Sequence, residues 1–168
     1  MKKFIILSVA MALMSFAANA QNYMVVNTET IFKAMPAFND ANTRLDNMSK
    51  QAQKEIDDAF AEVEKMYNEY ISQKAYLSEM ARTSRENAIL ERESEILDRQ
   101  EKLFGPEGEL MKKRVEMLKP IQDKVFETIN KYAQANGQAL VIDLANNPTV
   151  LYYSPSADKT QEIIKLVK

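Results

Sequence analysis

The chain has 168 residues, 46% of them apolar and 27% charged, with a formal net charge of −2. It contains no cysteine, no histidine, no tryptophan and only three glycines. That composition removes the disulfide staple, the commonest metal ligands, the commonest general base, the thiol nucleophile and a glycine-rich phosphate loop, and the mild acidity argues against nucleic acid as a partner.

Lys2 and Lys3 precede an apolar run from Phe4 to Ala17, and Ala18-Asn19-Ala20 fits a small-x-small cleavage site. The run falls short of the about 20 apolar residues that a membrane span needs. Residues 1–20 therefore read as a signal peptide cleaved after Ala20, and no cysteine follows to carry a lipid. The exported chain keeps 20 basic and 24 acidic residues, a net charge of −4. Its length of about 148 residues suits one domain.

Tyr23 to Asn27 reads as a strand, with Thr28 capping a short helix from Glu29 to Ala34 that Pro36 stops. From Phe38 to about Met80 two apolar lines run in alternating steps of four and three. Leu45, Ala52, Ala59, Met66 and Met80 form one; Ile56, Val63, Tyr70 and Leu77 form the other. This is a coiled-coil seam, and a helix of that length is roughly 65 Å long.

The stripe lapses after Met80, and Thr83-Ser84-Arg85-Glu86 has capping-box spacing. The tip of a helical hairpin is expected near residues 78–84, in preference to one uninterrupted helix that would need a partner along about 150 Å. The return helix, Ser84 to about Asn136, carries an apolar doublet every seventh residue: Ile89-Leu90, Ile96-Leu97, Leu103-Phe104, Leu110-Met111 and Met117-Leu118. Gly105-Pro106-Glu107-Gly108 interrupts it, yet the doublet keeps its register across the interruption. Residues 105–108 thus read as a kink, with Gly105, Pro106 and Gly108 as hinge residues and Pro120 as a second weak point. The competing reading makes 105–108 the hairpin turn, but it leaves a return arm of about 28 residues, too short to cover the outgoing one.

Gly137 is placed to end the helix. Ala139 to Leu144 reads as a buried strand, Ala145-Asn146-Asn147-Pro148 as a turn, and Thr149 to Ser154 as the second strand of a hairpin. Pro155 to Asp158 leads into a last amphipathic helix with Ile163, Ile164, Leu166 and Val167 inward. The fold class is α+β and predominantly helical: a long antiparallel helical hairpin, residues 38–136, projecting from a small β-containing oligomerisation body, residues 21–37 and 137–168. A body of about 50 residues is marginal as an independent core, so self-association is expected through Met24, Val25, Val26, Leu140, Val141, Ile142, Leu151 and Tyr152.

The charged residues read as solvation of a helical exterior. Asp57-Asp58 and the many glutamates suit intrahelical pairing, as in Glu95 with Arg99 and Asp98 with Lys102. Asp143 with Asn146 reads as a self-bonded turn. Lys112-Lys113-Arg114 is a solvated face with, at most, weak contact to envelope lipid. No catalytic residue, cofactor or metal site is expected. The doublets, however, add a third apolar position per heptad, more than a two-helix arm can bury. Flexible thioethers and tyrosines accompany it, and such residues repack around different partners. Met66, Tyr70, Tyr76, Leu77, Met80, Ile89, Leu90, Ile96, Leu97, Leu103, Phe104 and Met111 are the candidate client-binding stripe.

The layout resembles the Skp/OmpH family of periplasmic outer-membrane-protein chaperones. The resemblance rests on the signal peptide, on Met24-Val25-Val26-Asn27-Thr28-Glu29-Thr30-Ile31-Phe32, on the long charged helical middle, and on the ending. That ending runs Ala139-Leu140-Val141-Ile142-Asp143, Val150-Leu151-Tyr152-Tyr153 and Asp158 to Lys168. It implies a periplasmic homotrimer shaped like a jellyfish, with strands in the body and helical hairpins as tentacles. It also implies an ATP-independent holdase that shields unfolded outer-membrane proteins between the tentacles. The known members are strongly basic, whereas this chain is acidic. A structural spacer or adaptor of the cell envelope that binds one folded partner is the alternative; it would want a narrow, fully buried seam.

Overall fold

The structure, a computed structural model, describes residues 22–145 and 147–168. The expected signal peptide and Asn146 lie outside the described residues. The elements in chain order are β1 (Tyr23–Val26), α1 (Thr28–Lys33), α2 (Pro36–Gln73), α3 (Glu79–Phe104), α4 (Glu109–Ala135), β2 (Leu140–Asp143) and α5 (Thr160–Val167). Single 3₁₀ turns occupy Lys74–Tyr76 and Pro155–Ala157. The fold is α+β and predominantly helical, as expected. It divides into two compact units, residues 22–36 with 121–168, and residues 37–120; the chain passes between them at Pro36 and Pro120.

In the first unit β1 pairs with β2 in parallel, Tyr23 opposite Leu140 through Val26 opposite Asp143. The opposite edge of β1 is used too: Val25 bridges Asp158, and the Lys159 amide donates to the Val25 carbonyl at 2.9 Å. A strand flanked on both edges reads as a continuous apolar run, and Met24, Val25 and Val26 are fully buried. Val125, Ile129, Ile163, Ile164 and Val167 are buried in the same unit, and Phe32 meets Phe126 edge-on at 6.4 Å.

The cap of α1 is Asn27, whose side chain accepts from the Thr30 amide at 2.9 Å, and not Thr28. Thr28 is already helical, and its amide and hydroxyl both donate to the Asp143 carboxylate. Asp143 also accepts from the Ala145 amide at 3.0 Å. The strand-end carboxylate is thus consumed in tying β2 to the start of α1. Pro36, expected as a stop, is the first residue of α2, where its missing N–H costs nothing. α4 ends in a Schellman motif: Gly137 at φ 62° donates to Gln134, and Gln138 donates to Ala133.

The expected strand over Thr149–Ser154 does not form. Those residues carry no regular structure, and Leu151 and Tyr152 are 94% and 84% exposed. The physical reason is topological. Asp158 must reach the far edge of β1, so the segment after β2 becomes a crossover instead of folding back as a hairpin.

In the second unit α2 and α3 run antiparallel, since Glu62 meets Arg92 and Glu55 meets Arg99. The tip lies at Lys74–Ser78, not 78–84. Ser78 caps α3, its hydroxyl accepting from the Ala81 amide at 3.3 Å, with Glu79 in the first turn. Thr83 and Glu86 are therefore interior to α3, and Met80 belongs to the return helix. Ser78 offers the same cap chemistry as Thr83 one turn earlier, and capping there lets Leu77 pack onto the seam.

Candidate functional site

The core of the second unit is one seam: Ala52, Ile56, Val63 and Tyr70 from α2 against Ile89, Ile96 and Leu103 from α3. Ala59, Met66, Leu77 and Leu110 pack against it, partly buried. The apolar doublet is split by this seam. Its first members are enclosed, Ile89 at 7%, Ile96 at 2% and Leu103 at 4% exposure. The second members of the first four pairs face solvent, Leu90 at 61%, Leu97 at 57%, with Phe104 and Met111 also exposed, whereas in the last pair the second member, Leu118, is buried. Of the twelve stripe residues expected from sequence, Tyr70, Ile89, Ile96 and Leu103 are thus core. Tyr76, Met80, Leu90, Leu97, Phe104 and Met111 are at the surface. The Tyr70 hydroxyl donates to Glu86, which satisfies the one polar atom this tyrosine brings into the seam.

Ion pairs fix which side of the hairpin is which. Arg92 contacts Glu62 across the seam at 3.1 Å and Glu95 on its own helix at 3.0 Å. Arg99 contacts Glu55 at 2.7 Å and Glu109 at 2.9 Å. The hydrogen bond from Arg99 holds the Glu55 carboxyl below its ordinary value of 4.5. Arg99 was expected to pair with Glu95 four residues away; the guanidinium reaches instead to two other helices. These bridges place the Glu55 and Glu62 flank of α2 and the Arg92 and Arg99 flank of α3 on one common face.

At 100° per residue, the opposite flanks share the other face. There α3 presents Leu90, Leu97 and Phe104, and α2 presents Phe60, Tyr67 and Ile71, all exposed. The hairpin is two-faced: one side is laced with ion pairs, the other is an apolar strip some 20 residues long, roughly 30 Å. Phe60 and Ile71 went unnoticed in the sequence. Their signal was the spacing Phe60, Tyr67, Ile71, a second heptad line beside the seam, which reads as a surface only when the antiparallel partner is known.

The Gly105–Gly108 interruption is a built turn. α3 ends at Phe104 and α4 begins at Glu109. The Gly108 amide donates to the Gly105 carbonyl at 2.9 Å, with Pro106 pre-set at the second position of the turn. The Gly105 amide closes onto Glu101 at 2.8 Å, and the Gly108 carbonyl receives the Lys112 amide at 3.1 Å. The chain does not reverse: Arg114 of α4 lines a groove with Asn42, Leu45 and Ser49 of α2, continuing the antiparallel path. A straight helix would separate Arg99 and Glu109 by about 15 Å along its axis, yet they share an ion pair. The turn therefore takes up four residues with little axial advance. Pro120 lies inside α4, which stays helical through it.

Of the expected oligomerisation residues, Met24, Val25 and Val26 are buried within their own unit, and Val141 and Ile142 are half-buried. Leu140, Leu151 and Tyr152 are exposed. Leu140 and Tyr152 line a groove of about 500 Å³ with Tyr23, Val25, Ala139, Ile142, Val150 and Tyr153.

Comparison with known proteins agrees with this architecture. A solved structure of a candidate outer membrane chaperone (OmpH-like) from Caulobacter crescentus CB15 superposes with a TM-score of 0.72. The match covers 90% of this chain and 86% of that one at 10% identity, a likeness of fold alone. Among curated proteins nothing matches the chain. The family model for outer membrane protein (OmpH-like) matches residues 22–167, nearly all of the described length. The chain belongs to the OmpH-like outer membrane protein family.

Proposed function

We propose that this protein is an ATP-independent periplasmic holdase that binds unfolded outer-membrane β-barrel proteins and keeps them from aggregating. The observation that carries the proposal is the split doublet. A seam that served only to close the hairpin would need the first member of each pair. The second members of the first four pairs, with Phe60, Tyr67 and Ile71, add an exposed apolar strip, and such patches mark interaction sites. Weak apolar contacts spread along a strip suit clients without fixed structure. Homotrimerisation through Leu140, Leu151, Tyr152 and the open edge of β2 multiplies those contacts by avidity. In this reading Gly105, Pro106, Gly108 and Pro120 set where the arm bends around clients of different size. Family membership and the OmpH-like fold support the assignment.

The test is dilution of a urea-unfolded outer-membrane barrel protein into buffer with the mature chain. Light scattering is expected to stay near baseline at about one trimer per client. Aggregation unchanged by the protein would sink the proposal and favour a spacer that binds one folded partner.

A further inference from the structure

The two faces of the hairpin differ in charge balance as well as in polarity. On the ion-paired face the carboxylates of Glu55, Glu62, Glu95 and Glu109 are each met by a guanidinium. On the apolar face helical geometry places Asp57 and Glu64 of α2 and Glu93 of α3 among the exposed apolar side chains. Glu64 and Glu93 have no ion-pair or hydrogen-bond partner among the described residues, and Asp57 is met only by the neutral Gln53 amide at 2.8 Å. The lysines of this stretch are already engaged: Lys50 is held by Asp46 at 2.7 Å, Lys54 by Asp58 at 2.5 Å and Lys74 by Glu86 at 3.6 Å. In antiparallel register Glu64 and Glu93 sit at neighbouring levels between the Phe60–Leu97 and Tyr67–Leu90 positions.

From this juxtaposition we infer that the apolar face takes cationic amphipathic polypeptide: extended segments in which lysine or arginine is interleaved with apolar side chains. The inference rests on the holdase reading and narrows its client class. An apolar side chain of the client covers Leu90, Leu97, Phe60 or Tyr67, and the neighbouring cation meets Glu64 or Glu93. Those carboxylates lie beside a surface that the client desolvates, so a matching charge is attracted and a like charge is repelled. The arginines cannot offset this, because they are engaged on the other face. The mature chain's net charge of −4 acts in the same direction at longer range.

The test uses the full mature protein and three labelled 15-residue peptides that alternate leucine and tyrosine with lysine, with glutamate or with serine. Binding is read by fluorescence anisotropy at low and high salt. The lysine peptide is expected to bind about tenfold tighter than the glutamate peptide at low salt, a gap that closes in high salt. The double variant Glu64→Gln, Glu93→Gln is expected to weaken the lysine peptide about fivefold and to leave the serine peptide unchanged. Both substitutions are conservative, Glu64 is exposed and Glu93 is only half-buried, and neither belongs to the seam, so the fold is retained.

Equal binding of the lysine and glutamate peptides, or a preference untouched by the double variant, overturns the inference while leaving the holdase reading intact if the serine peptide binds. Failure of all three peptides to bind overturns both. A fall in the protein's solution mass on Leu97→Ser identifies the strip as a contact between copies of this chain and also overturns the inference.

Discussion

Adjacent residues in one doublet have opposite duties. Ile96 is enclosed by the seam, whereas Leu97, one residue on and rotated by 100°, is mostly exposed. The consequence is a clean separation of stability from binding. Ile96→Ala removes enclosed methylenes between two helices and is expected to lower unfolding free energy by about 2–4 kcal/mol, measured by urea denaturation. Leu97→Ser lies outside the seam and should change stability by no more than about 0.5 kcal/mol, yet weaken protection of an unfolded client. The reverse pattern, with Leu97→Ser unfolding the protein and Ile96→Ala sparing it, would show that the doublet is oriented the other way. The periodicity of the doublet was plain from sequence. Which member is inward was not, because both choices satisfy a seven-residue repeat until α2 is placed beside α3.

At the scale of elements, the Gly105–Gly108 turn is held by three backbone hydrogen bonds and by Arg99, which joins α2, α3 and α4 through Glu55 and Glu109. Its glycines are there for close approach. A Cβ at Gly108 would lie 2.7 Å from the Leu103 carbonyl oxygen, and one at Gly105 would lie 2.5 Å from that of Glu101. Backbone cannot move aside as a side-chain end can, so Gly108→Ala is expected to cost about 1–3 kcal/mol. Amide exchange should rise most over residues 104–110. The Arg99 bridge also responds to acid. Bonding to Arg99 depresses the folded Glu55 carboxyl below 4.5, so its contribution is full above the unfolded value and is lost as pH falls through the folded one. Stability of the Glu55→Gln variant is therefore expected to be lower than that of the parent near neutral pH, with the gap closing below about pH 4. A gap that widens in acid would rule this out.

Sequence pattern located these elements unevenly, for identifiable reasons. The long helices were legible because their apolar spacing repeats many times. The tip was displaced because Ser78 and Thr83 offer equivalent caps, and only the packing of Leu77 chooses between them. The missing strand at 149–154 failed for a different reason: β propensity marks a segment able to pair, while the bridge of Asp158 to the far edge of β1 draws the segment across instead of back along β2.

For the whole molecule, composition and the exposed residues of the first unit point the same way. No cysteine is available to staple it, its sheet has two strands among the described residues, which leaves an outer edge on β2, and exposed Leu140 and Tyr152 line a groove beside that sheet. An edge that exposes apolar side chains and unpaired backbone is a template for another chain. If the proposed self-association closes that edge, folding and assembly are linked, and the thermal midpoint of the protein must depend on its concentration. Dilution over about two decades is expected to lower the midpoint by several degrees. Tyr152→Ser should then reduce both the solution mass by light scattering and the concentration dependence of the midpoint. It should leave Ile56, Ile96 and the rest of the hairpin seam in place, because those side chains belong to the other unit. A midpoint independent of concentration, together with the mass of a single chain, would remove the oligomeric part of the proposed function. The apolar strip would then have to hold clients without avidity.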